Sequence, residues 1–280
     1  MRNLIKAING HRPFLVDYQI AKEHLELKSK QGFTDLLSQI FGETPKPYQT
    51  PGGTYVIPVM GMIGSGLSPL EAIGSADVQK IDDQIDEALA ANPKRILFHI
   101  NSDGGTVEGV EELATKIRSL PVDTIAFSSG SMNSAALWIG AAANRVVVSP
   151  SASVGSVGVY LTILDQSAQA KAAGLEVKVI KSGALKGIGI PGAPVTSEQE
   201  AYLQQEVNEL ADTFKASVRM KRKLVKDEDM QGQSFSGKMA AQKGFATGLA
   251  NTLKDLLAQL DGIKPTTATA NPGAPLARNK

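Results

Sequence analysis

The chain has no cysteine, which excludes disulfides, thiolate nucleophiles and cysteine-ligated metals. Its three histidines, His11, His24 and His99, are scattered without the spacing of metal ligands, and His99 falls within an apolar run typical of a buried strand. The net charge of +1 supplies no electrostatic reason to expect nucleic acid or an anionic membrane as a partner. The sequence therefore indicates neither a metal nor a cofactor.

Long apolar runs are also missing. No stretch of about 18 or more apolar residues occurs, so no transmembrane helix is predicted. The first residues, MRNLIKAI, form too short an apolar stretch, with too polar a continuation, for a signal peptide. From these two features we expect a cytoplasmic location.

What the sequence does contain is an alternation of strand and helix patterns. Apolar runs with the length of buried strands occur at 55–60, 96–100, 124–127 and 145–148. Between the first two, apolar residues repeat at helical spacing from Val78 to Leu89. This alternation predicts an α/β fold of repeated βαβ units, with a parallel sheet and covering helices.

The second half of the chain continues with less regular patterns. Further strands are predicted at 159–164 and 177–180, around a helix that ends at Gly174. Thr196 and Gln199 form a capping-box pattern that begins a long helix. That helix has one apolar face, made by Leu203, Val207, Leu210, Phe214 and Val218.

Composition divides the chain into three parts. Residues 1–53 are predicted to be an N-terminal extension and linker, with helical material around Ala21–Lys30 followed by a Gly- and Pro-rich stretch. Residues 54–261 are predicted to form the core domain. Residues 262–280 have too few apolar residues to pack and are predicted to be a disordered tail.

Two segments carry residues suited to acyl transfer. Ser134 lies in GSMNSAALW (130–138), at the start of a helix of small residues that exposes backbone N–H groups. A serine needs a neighbouring base to act as a nucleophile, and a lysine serves when burial disfavours its charged form. Lys186, in KSGALKG (181–187), lies in a weakly polar stretch and is the candidate base. Lys178 and Lys181 compete with it but flank or occupy a predicted strand.

These segments, together with NSDGG (101–105) and QSFSGKMAAQKGF (233–245), resemble the signal peptide peptidase A family of serine proteases. The resemblance covers the chain from about Tyr55 to about Leu260 and is closest in character to the soluble capsid-maturation proteases of phages and prophages. It implies a Clp/crotonase-like fold and a serine endopeptidase with a dyad of Ser134 and Lys186.

The resemblance also implies roles for neighbouring residues. Backbone N–H groups of Gly104 and Ala135 are expected to form the oxyanion hole, and the hydroxyl of Ser156, in VGSVG (154–158), is expected to orient the lysine amine. The residue before the two glycines is usually proline in the family. Here it is Asp103, which puts a carboxylate near the site.

The expected partners are polypeptide substrates, further copies of the same chain in a homo-oligomer, and capsid or scaffold proteins. The capsid or scaffold partners imply a second expected location, in association with a virion or prohead. Other functions stay open at this point. They are the degradation of signal peptides, binding of acyl-coenzyme A by a crotonase relative, and a non-catalytic role in capsid assembly. A Clp-type Ser-His-Asp triad is disfavoured, since no histidine occurs at 155–161.

Overall fold

The structure is a computed structural model that describes residues 45–67, 71–72 and 74–262. The helix predicted around Ala21–Lys30 and all of the predicted tail except residue 262 lie outside the described residues. Within the described ranges, no helix is long and apolar enough to cross a membrane.

The elements alternate between strands and helices along most of the chain. The strands are β1 (Tyr48–Gln49), β2 (Thr54–Met60), β3 (Met62–Gly64), β4 (Ser75–Asp77), β5 (Arg95–Asn101), β6 (Asp123–Ser128), β7 (Ser131–Asn133), β8 (Arg145–Val148), β9 (Ser153–Gly155), β10 (Ser234–Ser236) and β11 (Gly248–Leu249). The helices are α1 (Val78–Ala90), α2 (Val110–Ser119), α3 (Ala135–Ala142), α4 (Ser167–Ala172), α5 (Ser197–Lys221), α6 (Gly237–Gln242) and α7 (Leu253–Leu260).

The main sheet has the strand order β1-β2-β5-β6-β8-β11. Its pairs are parallel, except that β1 runs antiparallel to β2. The α/β class with a parallel sheet and covering helices is therefore confirmed. One difference lies at the edge, where Tyr48 and Gln49 of the predicted linker pair with β2.

Both faces of the main sheet are covered, which explains why its strands are apolar at successive positions. On one face, residues such as Ile57 and Phe98 pack with α1, α2 and α3. On the other, residues such as Val56 and Leu97 pack with α7 through Leu256. Side chains at successive positions along the central strands belong alternately to these two cores.

A second, smaller sheet lies beyond the carboxyl ends of the central strands. It has the order β10-β9-β7, with β7 parallel to β9 and β10 antiparallel to β9. A bridge between Ser102 and Met132 joins the end of β5 to β7. The turn after β5 and the start of α3 are thereby brought together at the edge where parallel α/β sheets bind their ligands.

Helix α3 is buried along its whole length, and α5 covers part of it. The Trp138 ring stacks on Phe214 with centroids 4.6 Å apart, and its Nε1–H donates to the Ser217 hydroxyl at 2.8 Å. Small residues elsewhere on α3 let its neighbours approach closely. The start of α3 is thus held by a rigid, fully packed element.

The two strands predicted at 159–164 and 177–180 do not form. Helix α4 lies between them as predicted, but the flanking segments join no sheet and are largely exposed. A strand forms where a neighbouring backbone pairs with it, and among the described residues no sheet includes these segments. Ile180 is left 96% exposed and Leu164 71% exposed.

The capping box at the start of α5 is confirmed. The Thr196 hydroxyl accepts from the Gln199 N–H, and the Gln199 side chain accepts from the Thr196 N–H. Of the predicted apolar face, only Phe214 and Val218 are buried, while Leu210 is exposed. In the part of the chain that the structure describes, Leu203 and Val207 are only partly buried and Leu210 is exposed.

Candidate active site

Ser134 occupies a strained turn between β7 and α3. Its φ of 53° and ψ of −128° are values that non-glycine residues seldom adopt. Its N–H donates to the Gly155 carbonyl at 2.9 Å, and its carbonyl accepts from the Trp138 N–H at 3.0 Å. A sharp strand-to-helix turn of this kind presents a serine hydroxyl at the head of the helix, although no Gly-x-Ser-x-Gly motif is present.

Gly104 lies directly against this serine. A Cβ built on Gly104 would be 2.6 Å from Ser134 Cβ, 3.0 Å from Ser134 Oγ and 3.1 Å from the Ala135 nitrogen. The φ of Gly104 is +106°, which also favours glycine. The absence of a side chain is therefore what lets the turn after β5 approach the serine.

The two expected oxyanion donors differ in their surroundings. Ala135 is the first residue of α3, where N–H groups have no partner within the helix and the helix dipole favours negative charge. The Gly104 N–H, in contrast, donates to the Ser102 hydroxyl at 3.1 Å. To bind an oxyanion, the Gly104 N–H must either donate to the oxyanion and the Ser102 hydroxyl together or release the Ser102 hydroxyl.

Ser156 follows the residue that anchors Ser134. It also has a positive φ, of 54°, and its N–H donates to the Gln233 carbonyl at 2.8 Å. The structure thus brings Ser134, Gly104, Ala135 and Ser156 into one neighbourhood, formed by the turns after β5, β7 and β9.

Lys186 does not join this neighbourhood within the single chain. It is exposed, and its N–H donates to the Gly183 carbonyl at 3.1 Å. Throughout the described ranges, no hydrogen bond or ion pair links its side chain to Ser134. The sequence predicts a desolvated Lys186, whereas in the described part of the chain this residue is exposed.

Sequence reasoning missed a polar cluster beside the serine. Asn133 is only 7% exposed, and its side-chain amide contacts Asp103, Ser153 and Ser234. The one available signal was an amide residue within a run of small and apolar residues. Its partners lie 20 to 101 residues away along the chain, so spacing could not identify them.

Residues 117–264, just over half of the chain, match peptidase family S49. The chain belongs to this family. The resemblance drawn from the sequence is confirmed, because a candidate signal peptide peptidase of Enterococcus faecium is 26% identical over 158 residues, which cover 54% of this chain and 46% of that protein.

Two further relatives are named as proteases without reference to signal peptides. A candidate protease of Methanocaldococcus jannaschii is 32% identical over 177 residues, 61% of this chain and 56% of that protein. Capsid assembly protease C of Escherichia phage lambda is 26% identical over 225 residues, 78% of this chain and 51% of that protein. The chain thus spans about half the length of these relatives. Among solved structures, the ClpP1 N165D mutant from Listeria monocytogenes has a TM-score of 0.48 at 12% identity, over 72% of this chain and 94% of that chain.

Proposed function

We propose that this protein is a serine endopeptidase in which Ser134 is the nucleophile and Lys186 the general base. The observation that carries the proposal is the strained turn at Ser134, with Gly104 against its side chain and the first N–H of α3 beside it. Such strain persists only where the surrounding structure imposes it, and it is concentrated at functional sites.

The chemistry follows from these groups. The neutral Lys186 amine takes the proton of the Ser134 hydroxyl as Oγ bonds to the scissile carbonyl carbon. The resulting oxyanion accepts hydrogen bonds from the N–H groups of Gly104 and Ala135. Collapse breaks the C–N bond, and the lysine proton passes to the leaving amine. Water then attacks the acyl-enzyme, giving up a proton to Lys186 and releasing the carboxylic acid product and the Ser134 hydroxyl.

Lys186 reaches Ser134, in this proposal, when the protein assembles into a homo-oligomer of more than two chains. Lys186 lies in segment 159–190, which also contains the two predicted strands that do not form. Ile180 and Leu164 of this segment are exposed. Covering this segment removes apolar surface from water and desolvates the lysine, which favours its neutral form. The chain that supplies the lysine is either the same chain or a neighbour.

The proposed substrates are capsid or scaffold proteins of a phage or prophage. The support is the similarity over 78% of the chain to a protein named as a capsid assembly protease. Degradation of signal peptides is the alternative, and its support is the shorter match to the candidate signal peptide peptidase. Incubation with a purified scaffold protein and with a synthetic signal peptide separates the two.

A fluorophosphonate probe tests the nucleophile. We expect the wild-type protein to be labelled at Ser134, and the variant Ser134→Ala to remain unlabelled and inactive. Ser151→Ala is a matched control, because Ser151 is an exposed serine outside the site and its loss leaves labelling intact. Absence of labelling in the assembled wild-type protein would point to a non-catalytic or acyl-coenzyme A-binding relative.

Mixing of inactive variants tests the base. Lys186→Ala is expected to lose as much activity as Ser134→Ala, since the two residues act as a unit, while Lys181→Ala keeps most of it. If the lysine comes from a neighbour, co-assembly of Ser134→Ala with Lys186→Ala chains restores part of the activity. If it comes from the same chain, the mixture stays inactive. Wild-type activity in Lys186→Ala would refute the base assignment.

A further inference from the structure

Asn133 is the residue immediately before Ser134, and its side chain is almost fully buried. Its Nδ2 donates to Asp103 Oδ1 at 3.2 Å and to Ser153 Oγ at 3.0 Å. Its Oδ1 accepts from Ser234 Oγ at 3.0 Å. Because the Asp103 carboxylate only accepts hydrogen bonds, the amide must present Nδ2 to it, and every polar atom of the Asn133 side chain is then satisfied.

The partners of Asn133 belong to the segments that hold the serine. Asp103 immediately precedes Gly104, whose Cβ position would be 2.6 Å from Ser134 Cβ. Ser153 is two residues before Gly155, whose carbonyl accepts the Ser134 N–H at 2.9 Å. One buried amide at the end of β7 therefore connects the turn after β5 with strands β9 and β10. A fully satisfied buried network of this kind makes its surroundings rigid.

We propose that Asn133 is a positioning residue that holds the Asp103–Gly104 turn against Ser134, so that the serine hydroxyl and the oxyanion donors keep their mutual geometry. The inference rests on the proposed function of Ser134. The backbone already links the two segments, since the Asn133 N–H donates to the Ser102 carbonyl at 3.1 Å. The bond from the Asn133 side chain to Asp103 is the essential contact in this proposal, because it adds a side-chain link at the residue immediately before Gly104. Ser153 and Ser234 complete the satisfaction of the amide.

An exchange of the two residues tests this pairing. Asn133→Asp puts a second carboxylate beside Asp103 and removes the donated hydrogen bond. Asp103→Asn keeps an acceptor for Asn133. The double variant Asn133→Asp with Asp103→Asn restores a hydrogen bond between the two positions in the reverse direction, and Ser153 can donate to the new carboxylate. Asn144→Asp is the matched control, because Asn144 is an exposed asparagine at the other end of α3 that accepts from Lys221.

The measurements are the rate constant for fluorophosphonate labelling of Ser134 and the thermal unfolding midpoint. We expect Asn133→Asp to lower the rate by at least about tenfold, because small displacements of reacting groups have large kinetic effects. Asp103→Asn and the double variant are expected to label at rates within about threefold of wild type. The recovery of the rate in the double variant is then larger than the two single effects predict, and a double-mutant cycle measures this difference as coupling between the two residues. Asn133→Asp is expected to unfold at a lower temperature than wild type, because two carboxylates then share a buried site. All labelling rates are therefore measured at a temperature where every variant is folded.

Three outcomes would overturn the inference. An unchanged labelling rate in Asn133→Asp shows that the contact has no positioning role. A loss that the double variant does not recover shows that Asp103 is not the relevant partner. A loss that is accounted for by the fraction of Asn133→Asp that is unfolded at the assay temperature shows a purely structural role. Failure of the proposed function is distinct, since the wild-type protein itself would then not be labelled at Ser134, and the positioning role would fall with it.

Discussion

At the scale of single residues, Ser134 and Gly104 both have a positive φ, but only one of them is a glycine. Ser134 has a side chain where the positive φ favours glycine, and Gly104 has none where a side chain would collide with the serine. Backbone strain of this type costs of the order of 1–3 kcal/mol and is retained at functional sites. The cost at Ser134 is measurable, because glycine relieves it.

Replacement of Ser134 by glycine is therefore expected to give a more stable protein than replacement by alanine, by about 1 kcal/mol. Both variants remove the hydroxyl, so both are expected to be inactive, and the difference between them reports the strain alone. Urea unfolding of the two variants measures it. An alanine variant as stable as the glycine variant would show that the turn stores no strain.

Gly104→Ala is expected to abolish activity while the protein remains folded. The added Cβ would approach Ser134 Cβ to 2.6 Å, so the turn or the serine must move. Displacement of an oxyanion donor and of the nucleophile together lowers kcat by at least about 100-fold. Steady-state kinetics and circular dichroism check this. Gly158→Ala is a control, because a Cβ there meets only ordinary contacts at 3.9 Å or more.

At the scale of elements, helix α3 is held by α5 and the residue after it at two places, its middle and its C-terminal end. Near its middle, Trp138 stacks on Phe214, and around its C-terminal end the Arg222 guanidinium donates to the carbonyls of Ala141, Ala143 and Asn144. Burial lowers the pKa of Arg222 to about 10, so at neutral pH the group stays cationic at the negative end of the helix dipole. These carbonyls would otherwise lack partners in a buried position.

Arg222→Met is expected to lower the free energy of unfolding by about 3 kcal/mol, because hydrogen bonds from a charged donor are lost and buried carbonyls are left unpaired. Methionine keeps most of the buried volume, so the effect isolates the polar contacts. Urea unfolding measures it. Arg219→Met is the control, since Arg219 makes a surface ion pair with Asp227, and such pairs contribute about 1 kcal/mol or less. Equal losses in the two variants would contradict the capping role.

At the scale of the whole molecule, the core and segment 159–190 differ in how far their apolar side chains are buried. The sheet and helices α1, α2, α3 and α7 bury their apolar faces, whereas segment 159–190 leaves most of its large apolar side chains exposed. In the proposed assembly, this exposed apolar surface is the contact between chains. The segment also carries Lys186, so assembly and catalysis are linked in the proposed function.

Ile180→Glu is expected to shift the protein from an assembly of more than two chains towards a single chain of 29.5 kDa. Ile180 is 96% exposed in the single chain, so the substitution leaves the fold intact but puts a charge into the proposed contact. Light scattering coupled to size-exclusion chromatography measures the mass, and activity is expected to fall with it.

The matched control for this shift is Leu224→Glu, because Leu224 is 80% exposed but lies outside the segment. Contacts that are mainly apolar also predict that the mass changes little with salt. A wild-type protein that is monomeric at tens of micromolar and fully active would refute the assembly.

Much of the fold could be predicted because its signals are local. The apolar runs of β2, β5, β6 and β8, the capping box at Thr196 and the small residues after Ser134 each act over a few neighbouring positions. The candidate serine and the two glycines were predicted from their residue types together with the resemblance to the signal peptide peptidase A family. The α/β class follows from their order along the chain.

Other features depended on residues far apart in the sequence. The strain at Ser134 arises because its N–H is held by Gly155, and the network of Asn133 joins residues up to 101 positions away. The segments 159–164 and 177–180 have the composition of strands, but a strand forms only where a neighbouring backbone accepts its hydrogen bonds. Pairing and packing over such distances are properties of the assembled fold, and composition and spacing do not contain them.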